Sequence, residues 1–254
     1  MSTMMMRFND VYTKLNKNGN INSVISPEMA EDILFSESLY YNDIRYIPWL
    51  RNAKTTRSLR LPSVLCREVA NVVCSEFDLS VSGENARAEY LNDRAQSITR
   101  NMPRWTEKAL AMGNLAFKPF TIGEDIYIKA CELGDYVPLR IREDGTIDSV
   151  AFVSTICRGD KWYTRIEYHH KEVDKYIIEN KAYFTDMRGG TIGAEIPLDT
   201  VPEWADIYPM VELDSSYPML FGIYKSPCAN TVDKESMLGV SLYSQCYDLF
   251  KEVD

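Results

Sequence analysis

Along residues 160–185 (DKWYTRIEYHHKEVDKYIIENKAYFT) the side chains alternate in character with a period of two. Trp162, Thr164, Ile166 and Tyr168 fall on one face, and Tyr163, Arg165, Glu167 and His169 on the other, which predicts a half-buried strand with one apolar face. A second run rich in aromatic and β-branched residues (Tyr176, Ile177, Ile178, Tyr183, Phe184) follows Glu172-Val173-Asp174-Lys175, so an antiparallel hairpin is expected. A lone hairpin is marginal in water, and this one is expected to lie within a larger sheet. Strand-like periodicity begins at Phe117 and continues through residues 126–130, 136–141 and 149–156, with Asp144-Gly145 as a hairpin signal, predicting a meander. Gly189, Gly190 and Gly193 read as a strand turn or bulge. A phosphate loop would need a strand before it, a helix after it and, in the Walker type, a Gly-Lys-Ser/Thr end.

The first part of the chain has a helical period instead. Residues 1–25 are polar apart from a methionine cluster and are expected to pack poorly. Ser26-Pro27-Glu28 predicts a helix start, with the hydroxyl as cap, proline in the first turn and Met29, Ile33, Leu34 and Leu39 turned inward before an end near Tyr41. Leu61-Pro62-Ser63 opens a second helix, with Val64, Leu65, Val69, Val72 and Val73 expected in the core. Phe77, Leu79 and Val81 alternate as a short strand, residues 84–102 read as a charged helix, and another helix is expected from Pro103 to Leu115, ending at Gly113-Asn114. Residues 197–227, rich in proline and aromatic residues, read as ordered coil laid over a surface. The closing residues 241–254 predict a helix with Leu242, Cys246, Leu249 and Phe250 in one stripe, docked beside the helix that starts at Leu61. The fold class is therefore α+β: a helical N-terminal half packed on a mostly antiparallel, meander-like β half, with a C-terminal helix. The corresponding divisions are residues 1–25, 26–116, 117–235 and 236–254.

Composition narrows the chemistry. With 254 residues, 45% hydrophobic and 26% charged, the chain can bury one large core or two small ones. A net charge of −9 argues against a surface given over to gripping nucleic acid. The basic stretch in residues 46–60, with Arg51, Lys54, Arg57 and Arg60 beside Trp49, is the candidate for weak nucleic-acid or subunit contact. Cys66, Cys74, Cys131, Cys157, Cys228 and Cys246 form no CxxC pair, no apolar run is long enough to span a membrane, and free thiols in a reducing cytosol are expected. His169 and His170 are adjacent in a predicted strand and so point to opposite faces, which prevents joint action on one metal or substrate. Nucleophile-elbow, HExxH, Walker and GxGxxG patterns are missing, so no catalytic, metal or cofactor site is assigned.

The order of several motifs resembles a family. RLPSVLCREVANVVCSEF (residues 60–77), WYTRIEYHH (162–170), YIIENKAYF (176–184), PMLFGIYKSPCAN (218–230) and SMLGVSLYSQCYDLFKEVD (236–254) are similar, in that order, to the front part of the portal proteins of tailed bacteriophages, the siphophage type also called minor capsid protein. The resemblance runs from about Glu28 to the end. It is carried mainly by the YTRIEYH strand, by Pro218-Met219-Leu220-Phe221 with Tyr224-Lys225, and by Leu238, Gly239 and Ser241. It implies a non-enzymatic ring, usually of twelve subunits, at a capsid vertex, made in the bacterial host cytoplasm, through which DNA passes without tight binding. Terminase motor, head-completion proteins and scaffold or capsid protein are the implied partners, with no membrane and no cofactor. Relative to the family the chain corresponds to the outer wing, with stem, clip and crown expected beyond it, as in a truncated form or prophage remnant.

Two other classes are open at this point. An aromatic-rich β module could bind glycan or peptide on Trp162, Tyr163, Tyr168 and Tyr183 if those rings lay side by side. A hydrolase would need a cleft joining a histidine to a carboxylate or serine.

Overall fold

The structure, a computed structural model, describes residues 3–16, 24–51, 58–185, 187 and 190–254. Its elements run α1 (Thr3–Leu15), α2 (Pro27–Tyr41), α3 (Leu61–Val73), α4 (Ala86–Met112), β1 (Asn114–Ile122), β2 (Asp125–Glu132), β3 (Tyr136–Ile141), β4 (Ile147–Arg158), β5 (Lys161–Lys171), β6 (Lys175–Thr185), β7 (Ile192–Ile196), β8 (Met210–Asp214), β9 (Gly222–Lys225) and α5 (Tyr247–Val253). Two short 3-10 turns, Leu198–Thr200 and Pro202–Trp204, precede β8. The class is α+β, with antiparallel sheets and a helix at the C-terminus.

Two compact units divide the chain: Met1–Ala30 with Leu133–Leu220, and Glu31–Glu132 with Phe221–Asp254. They cut across the sequence-based division at residues 116 and 235. α1 belongs with the larger sheet, while β1, β2 and β9 belong with the helices.

In the first unit the sheet order is β3-β4-β5-β6-β7, with β8 also pairing on β6. Every neighbour is antiparallel, so the expected meander is present. Its turns follow local chemistry. Asp144 Oδ1 accepts from the Thr146 amide at 2.8 Å in the β3–β4 turn. Gly159 has φ +62° in the two-residue loop between Arg158 and Lys161, where that twist requires a glycine. The β5–β6 hairpin pairs Trp162 with Thr185 at one end and Lys171 with Tyr176 at the other.

Within residues 1–25, α1 corrects the expectation of poor packing, while residues 1–2 and 17–23 lie outside the described residues. Phe8, Val11 and Tyr12 of α1 are buried. The Tyr12 hydroxyl donates to the Pro138 carbonyl of β3 at 2.7 Å, Lys14 Nζ to the Gly193 carbonyl of β7 at 2.7 Å, and Asp10 accepts from the Ile192 amide at 2.9 Å. The helix thus supplies partners for backbone groups on the edge strands β3 and β7, which would otherwise invite pairing with another chain.

In the second unit β2, β1 and β9 form a three-stranded sheet. Here α3 docks through small residues, and this corrects the core assigned from sequence. Pro62, Cys66 and Ala70 are buried, whereas Leu65, Val72 and Val73 are 42%, 74% and 60% exposed. Cys66 and Ala70 share a cluster with Leu110, Ala111, Met112, Tyr243 and Phe250, since short side chains let helices approach closely. No strand forms at residues 77–83. The amide of Asn92 takes both backbone groups of Val81, at 2.6 and 2.8 Å, in place of a ladder partner. The two helices expected on either side of Pro103 are one, α4. Proline removes a single backbone donor, and burial of Thr106 and Ala109–Met112 beyond it holds the helix in register.

The C-terminal helix is shorter than expected, starting at Tyr247, and a different residue anchors it. Phe250 is buried in the cluster containing Cys66 and Ala70, while Leu249 is 58% exposed. Phe250→Ala is expected to cost about 3–5 kcal/mol and Leu249→Ala less than about 0.5 kcal/mol, because only the first leaves a cavity. Urea unfolding of both variants checks this, and equal losses would refute the docking.

Candidate functional site

The densest group of buried charge lies on β5, on the face the sequence assigned to the polar side. Arg165, Glu167 and His169 share a face at spacings of two, and antiparallel register sets Asn180 opposite Glu167, with Tyr176 opposite Lys171 further along. His169 is 2% exposed, and Glu167 and Asn180 are buried. Both sheet faces are therefore interior around β5, since Thr164 and Ile166 on the other face are buried too.

The hydrogen bonds converge on Glu167 from His169 and Arg165, and Arg165 donates outward to Asn180 as well. A carboxylate only accepts, so Glu167 Oε1, 2.8 Å from His169 Nε2, fixes the proton on that nitrogen. Nδ1 lies 2.6 Å from the Tyr176 hydroxyl, from which it accepts when the ring is neutral, and the Tyr176 oxygen accepts the Leu220 amide at 3.0 Å. On the other side Arg165 Nη2 lies 3.2 Å from Glu167 Oε2, and Arg165 Nη1 donates to Asn180 Oδ1 at 3.2 Å. Asn180 Nδ2 donates in turn to the Tyr208 carbonyl at 3.1 Å. The row thus ties residues 208–220 to the sheet through side chains. Burial lowers the guanidinium pKa of Arg165, with the Glu167 charge opposing, and pushes the Tyr176 hydroxyl up to about 12.

His170 points the other way, as expected for neighbours in a strand. It stacks on Tyr168 with ring centroids 4.3 Å apart, and its buried Nδ1 has no hydrogen-bond partner among the described residues. Burial lowers its pKa below the ordinary value near 6.5, against the pull of Glu179 and Glu172. The unfolded chain therefore takes up this proton first as pH falls, and stability drops from about pH 6.5 down to the folded pKa. Replacing His170 with Gln should flatten that part of the stability–pH curve, read from urea midpoints between pH 7.5 and 5. An unchanged slope would contradict it.

Elsewhere, Tyr247 donates to Asp32 Oδ1 at 2.6 Å and lies 2.6 Å from Ser36 Oγ, while Tyr243 donates to the Ser36 carbonyl at 2.8 Å. Burial raises the pKa of Asp32, with the Tyr247 bond opposing. These bonds join α2 to the closing segment. A shallow depression of about 430 Å³ at the start of α4 is lined by Glu84, Glu89, Asp93 and Asn92 among others. Among the described residues no three His, Cys, Asp or Glu side chains gather as metal ligands, and no helix is long and apolar enough to cross a membrane. Among the described residues, which include all six cysteines, no disulfide is formed.

Of the basic stretch, Arg51 and Arg60 are exposed, and Lys54 and Arg57 lie outside the described residues, as does Gly189 of the glycine run. Arg60 caps α3 in the left-handed region at φ +54°, unusual for a side chain of that size. The four aromatic rings of the binding-module reading form no shared platform. Tyr183 is buried, and Tyr163 lies on the face opposite Trp162 and Tyr168, packed with Val201 and Trp204.

Sequence reasoning missed the buried row. The signal was there in alternate positions of β5, where a cation, an anion and an imidazole succeed each other on one face. What defines this protein structurally is an α+β framework whose most concentrated chemistry is turned inward. No protein-family model matches the chain, and no curated protein matches it.

Proposed function

We propose that the chain is a structural component of a tailed-bacteriophage portal, the head–tail connector vertex through which DNA enters and leaves the capsid. The observation that carries this reading is the order of the YTRIEYH, PMLF-YK and LG-S motifs along the sequence. Their residues hold framework positions. Arg165, Glu167 and His169 form the buried row, Leu220 is tied to Tyr176 where the chain passes into the second unit, and Gly239 is pressed against Gly113. Motifs of this kind belong to a scaffold more than to a reactive cleft. A mechanical role asks for rigidity, and polar groups spent on internal bonds supply it. The charge of −9 suits a subunit past which DNA slides without being held. In this role the chain has no catalytic residue or cofactor, and it works beside further copies of itself, the terminase and the capsid proteins at the virion vertex.

Immunogold electron microscopy of phage particles from the source host tests the reading. Label is expected at a single vertex, with genes for a terminase and a capsid protein flanking this one. Unlabelled particles would overturn the assignment.

A further inference from the structure

We draw no further inference here: the strongest candidate, the solvent-facing apolar stripe of α3 formed by Leu65, Val72 and Val73, carries none because nothing in the structure shows what covers it.

Discussion

Replacing Gly239 with alanine should unfold the second unit far more readily than one added methyl group would suggest. A Cβ at Gly239 would lie 2.2 Å from the Gly113 carbonyl oxygen, and one at Gly113 would lie 2.4 Å from the Gly239 oxygen. Neither strand of chain can yield easily. The side-chain amide of Asn114, which is 0% exposed, donates to the Gly239 carbonyl at 2.9 Å and accepts the Gly239 amide at 3.0 Å. The Ser226 amide donates to the Gly113 carbonyl at 2.8 Å, and the Leu242 amide to the Leu110 carbonyl at 2.8 Å, which supplies partners for carbonyls at the end of α4. Relieving the clash therefore means breaking buried bonds. Overpacking costs about 1–3 kcal/mol and each stranded polar group about as much again, so about 3–5 kcal/mol is expected for Gly239→Ala. For a unit of this size that lowers Tm by about 10–17 °C. Asn114→Leu should cost about 2–4 kcal/mol by stranding the same two backbone groups without the clash. Calorimetry on both variants decides: a Gly239→Ala protein that melts with the parent would show that the contact between residues 113 and 239 is not closed in solution.

Glu167→Ala is expected to be the second severe change, costing about 3–5 kcal/mol, since it leaves a buried guanidinium with no anion. Arg165 reaches Glu167 at 3.2 Å, and both side chains are largely shielded from water. His169 would lose the acceptor for its Nε2–H as well. The informative comparison is the double variant Arg165→Met with Glu167→Leu. Removing both charges together avoids the uncompensated ion, so the double variant should be more stable than Glu167→Ala alone, with a residual loss of about 1–3 kcal/mol from the stranded imidazole N–H. Tyr176→Phe, which removes the link to the Leu220 amide, should cost about 1–2 kcal/mol. Urea unfolding of Arg165→Met, Glu167→Leu and their combination gives the coupling energy of the Arg165–Glu167 pair by a double-mutant cycle. If the two single losses simply added, the buried row would not act as a unit.

Much of the local structure was legible because its rules are local. Alternation over residues 160–185 predicted β5 and β6, and Asp144-Gly145 predicted the β3–β4 turn. Ser26 does cap α2, accepting the Met29 amide at 3.3 Å, and Gly113 ends α4 in the left-handed region. Each of these rests on sterics or hydrogen bonds among residues a few positions apart.

The rest depended on partners far away in sequence. α3 offers two apolar faces, and it docks through the small residues Cys66 and Ala70, which allow close approach to Leu110 and Ala111, while Leu65, Val72 and Val73 stay exposed. Pro103 reads locally as a stop, yet packing beyond it outweighs the one lost donor. Phe77, Leu79 and Val81 have a strand pattern but no ladder, since Asn92 claims the Val81 backbone. The polar face of β5 became interior only when residues 208–220 covered it and supplied bonds for its charges. By itself the sequence determined the turns and caps set by neighbouring residues, such as Asp144-Gly145, Ser26 and Gly113. The tertiary structure decided which face of each strand and helix is dry, because burial is settled by whatever packs opposite, and no local pattern specifies that.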